Sequence, residues 1–101
     1  MSLKKQYLKG ESKCKVTFSL SRDSAGSAGT AHVVGDFNHW EPSATPMKKL
    51  KDGSFTATIT LTKNNEYQFR YLLDGERWEN DLNADKYVSN EYGSENSVVV
   101  I

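Results

Sequence analysis

The feature that most constrains this chain is a two-residue period. Phe55, Ala57, Ile59 and Leu61 alternate with Thr56, Thr58, Thr60 and Thr62, after an Asp52-Gly53 turn signal. A helix would scatter those apolar residues around its axis, whereas a strand lines them up on one face. Cys14, Val16, Phe18 and Leu20 alternate with Lys15, Thr17 and Ser19 in the same way, as do Tyr67, Phe69, Tyr71 and Leu73 with Gln68, Arg70 and Leu72. Shorter apolar runs at Ala31–Val34 and from Ser97 to Ile101 read as further strands. The Ser/Ala/Gly-rich stretch from Ser21 to Thr30 reads as a loop.

No stretch carries a 3.6-residue pattern, so the expected fold is all-β. Five to seven short strands suggest an immunoglobulin-like antiparallel β-sandwich, with Phe18, Phe55, Ile59, Phe69 and Tyr71 in its core. Residues 1–12 read as an N-terminal arm, loose or with a turn of helix, and residues 13–101 as one domain. At 101 residues the chain has room for a single core.

Thirteen basic residues balance thirteen acidic ones, with no like-charge run beyond a Lys-Lys pair, so neither a nucleic acid nor an anionic membrane is an expected partner. No apolar run approaches the ~20 residues of a membrane span. The start lacks the apolar core of a signal peptide, Cys14 is alone, and no Asn-x-Ser/Thr site occurs, so a cytoplasmic location is expected.

Catalytic chemistry finds no foothold. There is no nucleophile elbow or Ser/His/Asp arrangement, and Glu76, Glu79 and Asp81 lie in polar surroundings that read as a solvated rim. Asp81, Asn83 and Asp85 have the one-three-five spacing of a calcium loop, but Lys86 stands for the turn glycine and Tyr92 for the bidentate Glu. His32, His39 and Cys14 have no zinc spacing. The chain is therefore expected to be non-catalytic, without metal or cofactor.

Two segments are too polar and aromatic to be plain connections: Asp36-Phe37-Asn38-His39-Trp40, and the long stretch from Glu79 to Asn96. Trp40, in a polar loop, either caps the open end of the sandwich or serves as a platform. Trp78 is constrained by parity. If Tyr67, Phe69, Tyr71 and Leu73 face the core, then Gln68, Arg70 and Leu72 face out. A three-residue loop after the strand puts Trp78 on that outer face, while a two- or four-residue loop buries it. The three-residue loop is preferred. An outward Trp beside an Arg suits a sugar, whose C–H face stacks on indole and whose hydroxyls need polar donors and acceptors. A protein partner could use the same anchors.

Taken in order, Val33-Val34-Gly35-Asp36-Phe37-Asn38-His39-Trp40, Tyr67-Gln68-Phe69-Arg70-Tyr71-Leu72-Leu73-Asp74-Gly75, Trp78, and Tyr92-Gly93-Ser94-Glu95-Asn96-Ser97-Val98 resemble the early-set carbohydrate-binding modules of family 48. Those modules precede the barrels of glycogen branching enzymes and isoamylases and form the glycogen-binding domain of the AMP-activated protein kinase beta subunit. The resemblance runs over residues 14–101. It implies that Trp40 and Trp78 stack against an α-1,4-linked glucan, with Arg70 where the kinase-subunit domains carry a Lys. Asn96 matches the family's hydroxyl-binding Asn, Ser94 stands for its Thr, and Tyr92 replaces an inserted Leu. The implied partner is glycogen or a malto-oligosaccharide. The alternative is a module that docks on a glucan-metabolising enzyme without binding sugar.

Overall fold

A computed structural model describes residues 3–10 and 12–101 of the chain. Among the described residues nine strands run in order: β1 (Leu3–Tyr7), β2 (Lys13–Leu20), β3 (Ala31–Gly35), β4 (Lys48–Lys49), β5 (Phe55–Thr62), β6 (Glu66–Leu73), β7 (Arg77–Glu79), β8 (Lys86–Ser89) and β9 (Glu95–Val100). All pairings are antiparallel. One sheet has the order β1-β2-β5-β4, and the other has β3-β6-β9-β8 with β7 also on β6. The sheets pack as an immunoglobulin-like sandwich.

The inward alternation of each strand makes the core. Phe18, Phe55, Phe69 and Tyr71 are buried as expected, while Ile59 is half-buried against them. Phe69 meets Phe18 and Tyr71 edge-on, at ring-centroid distances of 4.9 and 5.6 Å, an arrangement in which ring edge faces ring π-cloud.

The segments between the main strands depart from the sequence expectations. Residues 3–7, read as an arm, are β1: Leu3 pairs with Phe18 and is buried, so this segment covers what would be the open edge of β2. Lys5 also reaches the other sheet through a 2.7 Å ion pair with Asp85. With one buried side chain in five, the segment is too short to show a period. Arg22–Ala25, inside the expected loop, forms one helical turn capped by Ser21, whose hydroxyl accepts the Ser24 N–H. The long polar stretch after Glu79 contains β8, which pairs with β9 from Lys86↔Val98 to Ser89↔Glu95.

Asp81 overturns the solvated-rim reading. It is 1% exposed. Its carboxylate accepts the Tyr71 hydroxyl at 2.6 Å and the Asn83 N–H at 2.8 Å. Its own N–H goes to Ser97, and its carbonyl accepts the Tyr87 hydroxyl. Burial, and then the adjacent carboxylate, push the Tyr71 phenol well above its ordinary pKa of 10.0, so it stays a donor. This knot fastens the segment after β7 to β9. That matters because β7 and β9 share one flank of β6: β3 takes residues 69–73 of β6 on one side, while β9 takes 66–69 and β7 takes 71–73 on the other. Arg70 lies at the junction, with Val34 as its partner on the β3 side and none across the gap.

Candidate functional site: an aromatic groove on the outer face

The β6–β7 turn decides where Trp78 goes. Asp74 (φ 53°) and Gly75 (φ 71°) are both left-handed, and the Leu73 carbonyl accepts the Glu76 N–H at 3.1 Å. The loop is Asp74-Gly75-Glu76, which sets Leu73 opposite Arg77 and Leu72 opposite Trp78. Trp78 therefore lies on the outer face and remains 40% exposed. The Arg70 guanidinium sits over its ring, 5.9 Å from the centroid, within cation–π range. Leu72 shares that face but is 4% exposed rather than open. It is flanked in register by His32 and Trp78, which close over it.

Trp40 is placed by the segment Gly35–Trp40. Gly35 passes so near β6 that a Cβ there would lie 2.4 Å from the Gln68 carbonyl oxygen. A 3-10 turn over Asp36–Asn38 follows. Phe37 packs back toward the core beside Phe18. Asn38 clamps the turn: its oxygen accepts the Gly35 N–H, and its amide donates to the Val33 carbonyl and the Thr45 hydroxyl, each at 3.0 Å. His39 and Trp40 both have φ 57°, unusual for side chains of this size and held by the Trp40 N–H to the Gly35 carbonyl. The Asp36 carboxylate then fixes the ring. One oxygen accepts the indole N–H at 2.9 Å and the other accepts the Gln68 backbone N–H at 2.8 Å. Because its N–H is spent on Asp36, Trp40 offers a ligand its ring face.

The third wall is the β8–β9 loop, residues 90–94. The Asn90 oxygen accepts the N–H groups of Tyr92 (2.9 Å) and Ser94 (3.1 Å), and Gly93 adopts φ 78°. Tyr92 stands at the tip, 85% exposed.

These pieces enclose an open groove of about 750 Å³ lined by both tryptophans, Arg70, Tyr92 and Asn96 together with Gln68, Asn90 and Glu91. Five of the six residues singled out in the sequence thus meet in one place. Ser94 does not join them. It lines a smaller polar depression of about 420 Å³ with Asn80, Ser89, Asn90, Gly93 and Glu95.

Gln68, Asn90 and Glu91 were not singled out. Parity marked Gln68 as outward, and only the β6–β9 register, which sets Gln68 beside Val98, brings it next to Asn96. Asn90 and Glu91 depend on a loop whose shape the sequence pattern does not give. Among the described residues, no three His, Cys, Asp or Glu side chains gather as a metal site.

Compared with protein-family models, residues 11–92 match carbohydrate-binding module 48, the isoamylase N-terminal domain. The matched stretch contains Trp40, Arg70, Trp78 and Tyr92, while Ser94 and Asn96 lie just beyond it. No curated protein matches the chain.

Proposed function

Given that the chain belongs to carbohydrate-binding module family 48, a family of non-catalytic carbohydrate-binding modules, we propose that it binds an α-1,4-linked glucan of the glycogen or starch type in the outer-face groove. The observation that carries this reading is two indole rings, Trp40 and Trp78, lining one groove with the polar side chains of Arg70, Gln68 and Asn96. Pyranose C–H faces stack on the rings and leave water. Hydroxyls then exchange water for the guanidinium and the amides. Tyr92, exposed at the loop tip, adds a third apolar surface at the rim. The ligand is neutral and the chain carries no net charge, so binding draws on stacking and short-range hydrogen bonds rather than on long-range attraction.

Native-gel migration with and without embedded glycogen, with a cellulose-type polymer as control, tests the proposal. Glycogen is expected to retard the protein and the control is not. A maltoheptaose titration followed by tryptophan emission gives the affinity. A signal that stays flat at millimolar sugar overturns the proposal and leaves the groove as a docking surface for a glucan-metabolising enzyme.

A further inference from the structure

Three side-chain amides stand in a row along the groove. Asn90 Nδ2 donates to Asn96 Oδ1 at 3.1 Å, and Asn96 Nδ2 donates to Gln68 Oε1 at 3.0 Å. The two ends of an amide have nearly the same shape, so orientation must be argued from partners whose chemistry is unambiguous. Here the backbone supplies them. The Tyr92 and Ser94 N–H groups can only donate, so the Asn90 atom facing them is its oxygen. Asn90 must then present its NH₂ to Asn96, which answers with oxygen and turns its own NH₂ to Gln68. Gln68 in turn answers with oxygen. Its Nε2, with two N–H groups, is left at the end of the row, and no described residue accepts from it. Two residues along the same face, the Arg70 Nε is buried without a partner. The Gln68 Nε2 is thus a donor left for the groove, beside an arginine whose Nε has no protein acceptor.

Deepening the glucan reading and resting on it, we infer that Gln68 contacts the sugar as a donor to a hydroxyl oxygen, and that Asn90 is the positioning residue whose loop contacts dictate that polarity. A ligand that presents an N–H donor or an apolar group at this point is rejected, because it leaves the Gln68 amide desolvated and unpaired.

The inference is tested by changing one atom at each end of the row. Gln68→Glu keeps an oxygen for the Asn96 NH₂ but removes the N–H groups aimed at the sugar. The expected result is about tenfold weaker maltoheptaose binding, the scale of a hydrogen bond lost to a hydroxyl oxygen whose own proton is engaged by the neighbouring sugar ring. Asn90→Asp keeps the oxygen that the Tyr92 and Ser94 N–H groups need, so the loop and the melting temperature are preserved. It faces Asn96 with oxygen, which reverses the row and turns Gln68 Oε1 toward the groove. The same tenfold loss is expected from this remote change. Independently of any variant folding, the Gln68 side-chain amide signal in the nuclear magnetic resonance spectrum of the wild-type protein shifts as maltoheptaose is added. Maltoheptaose binding by Gln68→Glu within twofold of wild type, the same result for Asn90→Asp, or an unmoved Gln68 signal overturns the inference while the glucan reading stands. Failure of the wild-type protein to bind any glucan overturns both.

Discussion

Replacing Gly35 by alanine puts a methyl group where the structure has no room for one. The new Cβ would lie 2.4 Å from the Gln68 carbonyl oxygen and 2.8 Å from the Phe69 Cβ. Gly35 pairs directly with Phe69 at the end of β3, where the backbone is fully extended at φ −172°, so the constraint is the close approach of two strands rather than a left-handed backbone. Restoring even a short contact requires moving β3 away from β6 by about 0.6 Å. The neighbouring pairs Val34↔Arg70 and Val33↔Tyr71 must stretch with it, and Phe69 cannot follow without disturbing its packing on Phe18 and Tyr71. Overpacking of this kind costs about 1–3 kcal/mol, and weakening one or two ladder hydrogen bonds adds roughly 0.5–1.5 kcal/mol each. A total of about 2–4 kcal/mol lowers the melting temperature of a domain this size by roughly 10–25 °C. The Trp40 N–H is bonded to the Gly35 carbonyl, so glucan affinity falls as well. Thermal unfolding followed by circular dichroism, paired with the maltoheptaose titration, reads both effects. A melting temperature within about 4 °C of wild type, equivalent to less than about 1 kcal/mol, refutes the reasoning.

Trp40→Ala and Trp78→Ala are each expected to weaken maltoheptaose binding by roughly 1–3 kcal/mol, and Arg70→Ala and Asn96→Ala by less, because water partly replaces their hydrogen bonds. Tryptophan-emission titrations rank the four, and raising the salt concentration leaves the wild-type affinity nearly unchanged, since a neutral glucan releases no counterions. Asp36→Asn has one oxygen for two donors; with that oxygen on the fixed Gln68 backbone N–H its NH₂ meets the Trp40 indole N–H and frees the ring, and if that ring then samples three rotamers, about one third of molecules are competent and the affinity falls roughly threefold. Unchanged affinity together with unchanged Trp40 emission contradicts this. Asp74 accepts the Thr30 and Gly29 N–H groups, which hold its carboxyl below the usual 3.8. Its stabilising effect is therefore present above the unfolded value and is lost as pH falls through the lower folded one. Asn at this position tolerates φ 53° and keeps an acceptor, so Asp74→Asn melts below wild type at neutral pH and the gap closes as pH drops below 3.8. A gap that persists unchanged at pH 2 refutes the assignment.

The alternation of apolar residues was enough to identify the strands of both sheets that build the core, the inward faces that carry Phe18, Phe55, Phe69 and Tyr71, and the outward row Gln68, Arg70 and Leu72. Side-chain parity is a property of the extended backbone itself, so it is written locally. The Asp74-Gly75 pair marked the turn and an odd loop put Trp78 on the outer face, while its register opposite Leu72 rather than Asp74 came only with the structure. What local pattern could not decide is which distant strands share a flank. That β7 and β9 meet end to end on β6, that residues 3–7 close the edge of β2, and that Asp81 turns inward to Tyr71 all depend on partners from 10 to 28 residues or more away, whose meeting is favourable only once the sandwich has formed. The same holds for the site. The sequence supplied its aromatic rings, but the direction in which its amides point is set by backbone N–H groups of the loop at residues 90–94, and that loop acquires its place only through the β8–β9 pairing.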